Sequence, residues 1–350
     1  MPTKLLPASL LPISLTCLLT VMSASRCGAQ ADAGRPLRIG MIGLDTSHSP
    51  AFAKLFKEEA AGDKLYKMRV VAAYPGGSDD IASSRDRVAG YTKELSSLGA
   101  EIVDSVDALL PKVDAVLLES LDGRKHLEQV LPVFKAGKPV FIDKPLSGSL
   151  VDALAIDLLA KKYKARWFSS SSLRFSPGMI RFRENEELKK QIRGASAWGP
   201  CSLEPSHTDL YWYGVHGVET LFTAMGTGCQ SVTRVHTDGI DFVVGVWDGG
   251  RVGTFRGIRD GKADYGLVVF GEKQIEMGGK YEGYAPLVHR IADFFKGGAE
   301  PVANAETLEM FTFMQAADVS KERGGIPVSL AQVREEALAK AKEKIAQIDP

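Results

Sequence analysis

Cysteine is scarce in this chain, four in 350 residues, and two of the four, Cys17 and Cys27, fall in a leading segment that reads as removable. Cleavage near Ala29 would leave only Cys201 and Cys229. That is no disulfide framework, although an oxidising compartment would permit the one bridge. Neither has His or Cys neighbours at metal-ligand spacing, so the sequence assigns no metal ligand. An excess of charge is missing too, since Lys plus Arg and Asp plus Glu number 43 each. The balance excludes the basic stripe of a nucleic-acid binder and the acidic tail of a disordered segment. No repeat or low-complexity tract occurs. What is left is a globular composition, 45% hydrophobic and 25% charged, long enough for two domains, with a small molecule as the expected partner.

Long uninterrupted apolar runs are also lacking. Lys4 precedes an apolar stretch over 5–22 that Pro7 and Pro12 interrupt, and Ala24 and Cys27-Gly28-Ala29 then offer small residues for cleavage. The pattern is that of a secretory signal peptide over 1–29, and it predicts an exported, periplasmic or extracellular protein with no stable membrane span after cleavage. An uncleaved anchor is the competing reading, weakened by the two prolines. There is no twin-arginine pair, and neither Cys17 nor Cys27 stands in a lipoprotein context, so the chain is expected to cross unfolded.

Strands then alternate with helical patterns. L-R-I-G-M-I-G over 37–43 reads as a strand ending in a turn, with Phe52, Leu55 and Phe56 starting an apolar helical face. Further strands are predicted over 68–74, 113–118 and 139–142, and helices over 124–136 and 150–161. Alternation of this kind implies a parallel sheet covered on both faces, a Rossmann-like doubly wound α/β domain over 35–170. Ligands bind such folds at the carboxyl ends of the strands. There the sequence K-P-V-F-I-D-K-P over 138–145 stops an apolar strand abruptly in Asp143, Lys144 and a proline, which biases Lys144 to an extended backbone with its ammonium in the crevice.

In a doubly wound fold the first turn cradles a dinucleotide pyrophosphate on glycines and a helix N-terminus. Here that turn is G-L-D-T-S-H, so if Gly43 is the first glycine of G-x-G-x-x-G, Asp45 and His48 occupy the other two places. The Asp45 carboxylate is expected either to face the pyrophosphate or to cap the helix, with Thr46 and Ser47 donating hydroxyls. The second strand ends in Tyr74-Pro75-Gly76-Gly77-Ser78, without the acid that usually holds the ribose. With Arg85 and Arg87 following, the turn leans toward NADP over NAD.

From 171 the rhythm changes to successive strands, predicted over 231–236, 241–247, 251–258, 265–270 and 273–277. Asp248-Gly249-Gly250 and Gly271-Glu272 mark hairpins. An α+β domain with a mostly antiparallel open sheet is expected over 171–330, then a solvated terminal helix over 331–350. Ahead of the sheet, Y-W-Y-G-V-H-G-V-E over 211–219 runs into a helix. His216 and Glu219 share a face of it, and a histidine at a helix N-terminus is kept neutral by the dipole. Tyr211, Trp212 and Tyr213 suit either a wall for a sugar ring or the core.

These pieces together resemble the Gfo/Idh/MocA oxidoreductases, the glucose–fructose oxidoreductase and inositol dehydrogenase family: strand-turn-helix over 39–48, A-G-K-P-V-F-I-D-K-P over 136–145, G-V-H-G-V-E over 214–219 and A-A-D-x-S over 316–320. The resemblance implies an NAD(P)-dependent enzyme acting on a carbohydrate or polyol. In it Lys144 stands for the family's E-K-P lysine, Asp143 for its glutamate, and His216 for the histidine near the reacting carbon, with Trp212 where many members carry an aspartate. Cofactor contacts would come from Gly43, Asp45, Thr46, Ser47, Tyr74, Asp143 and Lys144, and substrate contacts from Tyr211, Trp212, Tyr213 and Glu219. A homo-oligomer is compatible with this reading. A second reading keeps the fold but not the chemistry, as a non-catalytic exported sugar-binding protein. The broken glycine turn and export favour it, while intact D-K-P and G-V-H favour the enzyme.

Overall fold

Residues Arg38–Ile42 form β1, an apolar strand that ends at Gly43 in the left-handed region (φ +89°), where a Cβ would lie 2.3 Å from the Ser120 backbone nitrogen. Only glycine lets the chain turn there. The computed structural model to which β1 belongs describes residues 1–3, 35–59 and 65–350. The apolar run and cleavage region of the expected signal peptide lie outside the described residues.

The first sheet contains β1, β2 (Arg69–Tyr74), β3 (Glu101–Ile102), β4 (Ala115–Leu118), β5 (Val140–Ile142) and β6 (Trp167–Ser169), all parallel, in the order β3-β2-β1-β4-β5-β6. Helices α1 (His48–Glu59), α2 (Ala82–Leu98), α3 (Val106–Leu109), α4 (His126–Lys135) and α5 (Leu150–Tyr163) make the crossovers. This is the doubly wound Rossmann-like fold, with its switch point between β1 and β4. In register, Ile42 stands opposite Leu118 and Leu118 opposite Ile142. Gly43, Glu119 and Asp143 therefore leave the sheet side by side.

Two short helices, α6 (Pro177–Glu184) and α7 (Glu186–Gln191), lead to the second sheet. Its strands are β7 (Ile192–Pro200), β8 (Cys229–His236), β9 (Ile240–Trp247), β10 (Val252–Ile258), β11 (Gly266–Gly271), β12 (Ile275–Met277) and β13 (Val328–Ser329), ordered β12-β11-β7-β10-β9-β8-β13. The sheet is antiparallel except where β7 pairs with β10. The expectation of a mostly antiparallel second sheet holds, but an interior strand, β7, between β11 and β10, has no counterpart in the sequence pattern. The reason is composition: I-R-G-A-S-A-W-G-P is built of small residues with little strand preference. Their smallness serves packing, because helix α8 (Val215–Met225) lies across β7 and β10. At Gly217 of that helix a Cβ would meet the Phe255 ring at 2.1 Å.

Helices α9 (Ala285–Phe295), α10 (Asn304–Glu322) and α11 (Leu330–Ile348) complete the chain. The terminal helix is not simply solvated as expected. Leu330, Val333, Ala337 and Ala341 bury one face, Lys344 pairs with Asp152 of α5, and Asp349 takes Lys135, Lys162 and the Tyr163 hydroxyl. One apolar cluster runs through both sheets, from Ile42 and Leu118 to Val243 and Phe255, a second holds Met41, Phe52, Phe141 and Ile291, and Pro36–Pro350 is one compact unit. No described helix is long and apolar enough to cross a membrane. Cys201 and Cys229 are buried free thiols rather than a bridge, and burial pushes each up to about 12.

Candidate active site

Lys144 follows Asp143 off the end of β5 and is 8% exposed, at the wall of a cavity of about 410 Å³. The cavity opens where the carboxyl ends of the first sheet meet helix α8. Thr46, Ser47 and His48 from the turn into α1, Ser83 and Arg87 from α2, Trp212, Tyr213 and His216 from the α8 segment, and Tyr265, Tyr281 and Tyr284 share the lining. A larger recess of about 770 Å³, beside Phe175, Arg181 and Arg290, lacks the Lys144–His216 pair. Residues 72 positions apart thus face one volume, as the sequence reading required of Lys144 and His216.

His216 is held from behind. Its Nδ1 lies 2.7 Å from the Ser171 hydroxyl, and Glu219, one turn along α8, accepts from the Ser170 hydroxyl at 2.5 Å, the Ser171 amide at 2.6 Å and Arg174 Nε at 2.7 Å. With the proton on Nδ1, the ring offers its Nε2 lone pair to the cavity. The imidazole sits well below its ordinary range, first because it is buried and then because Lys144 and His48 lie close. The helix dipole expected to keep His216 neutral is not the cause. A π-helical turn, Leu210–Gly214, precedes α8, so His216 is not at a free helix end, and burial replaces the dipole as the cause.

Two of the expected substrate contacts are elsewhere. Glu219 is buried and spent on Ser170, Ser171 and Arg174, so it positions the loop that holds His216. Tyr211 is core, with its ring edge-on to Phe311 and its hydroxyl donating to the Phe311 carbonyl. Trp212 and Tyr213 do line the cavity, and Tyr213 sits edge-on to His216 with ring centroids 5.4 Å apart. Tyr265, Tyr281 and Tyr284 carry no site signal in the sequence: Tyr265 reads only as the start of the strand over 265–270, and tertiary packing alone brings the three to the wall.

The glycine turn departs from expectation more sharply. Asp45 is fully buried and neither faces the cavity nor caps α1. Its carboxylate accepts from the Leu121 amide at 2.9 Å and the Ser84 hydroxyl at 2.6 Å, tying the turn after β1 to the loop after β4 and to α2. Burial raises its pKa. Tyr74 also does not reach the cavity. Its carbonyl accepts from the Gly43 amide and its ring packs on the core.

No metal ligand is expected from the sequence, yet the structure gathers three candidate donors. His48, Glu119 and Asp143 offer ligand atoms within 4.8 Å of one another, all buried. Asp143 is bonded to His48 Nδ1 at 2.7 Å and, despite its burial, lies below its ordinary range because His48 and Lys144 flank it. Glu119 is pushed well above its range by burial and by Asp143.

Against a nicotinamide dinucleotide, the cavity residues fit. With Asp45 turned inward, no carboxylate at the glycine turn opposes a pyrophosphate, and Thr46, Ser47, Ser83 and Arg87 present hydroxyls and a guanidinium on that side. Lys144 lines the same cavity and lies close enough to His216 to depress its pKa.

Comparison with known proteins agrees with this geometry. Residues 37–170 match the family described as "Oxidoreductase family, NAD-binding Rossmann fold" (GFO_IDH_MocA). Inositol 2-dehydrogenase 3 of Saccharopolyspora erythraea is 32% identical over 120 residues, which is 34% of this chain and spans only 31% of that relative's length. Among solved structures, scyllo-inositol dehydrogenase from Lactobacillus casei with bound NAD(H) and scyllo-inositol superposes with a TM-score of 0.67 at 12% identity, covering 85% of this chain and 100% of that one. GenD2 from gentamicin A biosynthesis, in complex with NAD, gives 0.67 at 14% identity over 84% and 96% of the two chains. At such identities these structures establish the shared fold.

Proposed function

Residues 37–170 of this chain belong to the Gfo/Idh/MocA oxidoreductase family, and from that premise we propose that the protein is an NAD(P)-dependent oxidoreductase acting on a CH–OH group of a sugar or polyol. One observation carries the reading: Lys144, from the first sheet, and a neutral His216, from the helix on the second, line one cavity with the start of α1.

A nicotinamide cofactor, when bound, supplies the hydride acceptor or donor. The remaining work falls to the chain. Thr46, Ser47, Ser83 and Arg87 hold phosphate oxygens, and Arg87, with no acid at the end of β2, favours NADP. The Lys144 ammonium donates to the reacting oxygen and stabilises charge developing on it. His216 takes the hydroxyl proton at Nε2, with Ser171, braced by Glu219, fixing the ring. Trp212, Tyr213, Tyr265, Tyr281 and Tyr284 present ring faces and hydroxyls, which suits the mixed apolar and polar surface of a polyol.

The test is titration with NADH and NADPH, then turnover on a panel of inositols and sugars. Lys144→Met should lower kcat about 100-fold or more with a smaller change in KM. Unchanged kcat in that variant would remove Lys144 from the chemistry. A second reading, a sugar-binding protein without turnover, draws on the turn itself, because the Leu44 amide is already bonded to the Pro75 carbonyl at 2.6 Å. It is the better account if polyols bind and neither cofactor does at millimolar concentration. Export completes the proposal. N-terminal sequencing of secreted material should find chains starting between about residues 25 and 34, and intact chains retained in membranes would refute cleavage.

A further inference from the structure

The geometry points to a buried divalent-metal site formed by His48, Glu119 and Asp143, beside the cavity that His48 helps to line. The register of the first sheet builds it. Glu119 and Asp143 leave the adjacent strands β4 and β5 level with each other, their amides bonded to the Ile42 and Leu118 carbonyls at 2.7 and 2.8 Å, and His48 opens α1 just beyond β1. Their ligand atoms lie within 4.8 Å of one another. Within the cluster one hydrogen bond is made, between His48 Nδ1 and Asp143 Oδ2 at 2.7 Å, and it leaves the other carboxylate oxygens unaccounted for. Glu119 has no solvent exposure and neither carboxylate oxygen has a hydrogen-bond partner, and Asp143 Oδ1 is likewise unpartnered at 1% exposure.

Buried polar side-chain atoms are nearly always bonded, and buried carboxylates are paired or coordinate metals. Here three carboxylate oxygens have no partner, in two residues that each bring a ligand atom within 4.8 Å of a histidine whose ring is stacked on Phe52 with centroids 5.3 Å apart and edge-on to Tyr284 at 4.8 Å. A divalent ion would balance two carboxylates, leaving the Lys144 ammonium to act in the cavity instead of serving as their counter-ion. One imidazole with two carboxylates suits Zn²⁺ or Mn²⁺, whereas Ca²⁺ asks for six to eight oxygens.

The experiment uses the full chain, stripped with chelator and re-equilibrated with Zn²⁺ or Mn²⁺, with metal content measured after gel filtration and bound Mn²⁺ followed by electron paramagnetic resonance. Wild type should retain about one equivalent and melt at a higher temperature with metal than without. Glu119→Gln should weaken retention by more than the ~10–100-fold that losing an outer-shell partner costs. His289→Ala, which removes the partly exposed His289–Glu59 pair, should leave retention unchanged. Should Glu119→Gln not fold, the melting shift of wild type and its reversal by chelator decide the matter. Wild type that retains no metal and shows no shift overturns the proposal, and so does a folded Glu119→Gln that retains as much metal as wild type. Neither readout depends on turnover, so failure here leaves the oxidoreductase reading standing, and the reverse also holds.

Discussion

Replacing Asp45 by alanine separates the structure from the sequence pattern in one step. A carboxylate at the second place of a glycine-rich turn is expected to repel a pyrophosphate, so its removal should tighten cofactor binding and barely touch stability. The tertiary arrangement reverses both expectations. Asp45 is fully buried and accepts from the Leu121 amide and the Ser84 hydroxyl. Truncation leaves a backbone N–H without an acceptor, at ~1–3 kcal/mol, and a hydroxyl that can partly reorient, at ~1 kcal/mol. Against this, burial already disfavours the charged carboxylate, so some of the loss is recovered. A net destabilisation of ~1–3 kcal/mol follows, which for a unit the size of Pro36–Pro350 lowers Tm by ~2–5 °C. Affinity for NADPH should stay level or weaken, because the tie holds the start of α2 and with it Ser83 and Arg87 at the cavity. Differential scanning calorimetry and cofactor titration of both proteins are the assay. An Asp45→Ala protein that melts with wild type and binds NADPH tenfold more tightly would show that the carboxylate faces the phosphates, and the reasoning would be wrong.

Two predictions concern pH. His216 is held neutral well below its usual range by burial, Lys144 and His48, so kcat/KM should show no loss of activity from its protonation as pH falls from about 8 to 6.5; a limb near 6.5 that disappears in His216→Ala contradicts this. Asp318 pairs with Arg234, but burial raises it to about 7 from 3.8 and its Oδ2 has no partner. A carboxyl raised on folding adds stability that is complete below the unfolded pKa and is lost as pH rises through the folded one. Urea unfolding of wild type should therefore lose stability between about pH 4 and pH 8, up to ~4 kcal/mol at this site, while Asp318→Asn, which still accepts from Arg234, should give a flatter profile. Parallel curves would place the pH dependence elsewhere.

Periodicity made the first sheet legible, because every β-α step there carries its apolar pattern locally, and the D-K-P ending placed Lys144 at a strand's carboxyl end without any long-range information. The G-V-H helix was legible for the same reason: Val215, Val218, Phe222 and Met225 recur at helical spacing on a buried element. Strand β7 was not, since its Gly and Ala residues signal nothing until α8 is seen packed across them. Nor were Glu119 and His48. Each is an ordinary polar residue in its own stretch, and they become neighbours only because parallel pairing sets Ile42, Leu118 and Ile142 level. The direction of a side chain was equally out of reach. Sequence put Asp45 on the phosphate turn and Glu219 beside His216, but hydrogen-bond partners distant in the chain, Leu121 and Ser84 for one, Arg174 and Ser170 for the other, turned both carboxylates into the protein. Local pattern reports which backbone forms; where a buried polar group points is decided by the donors that folding brings to it.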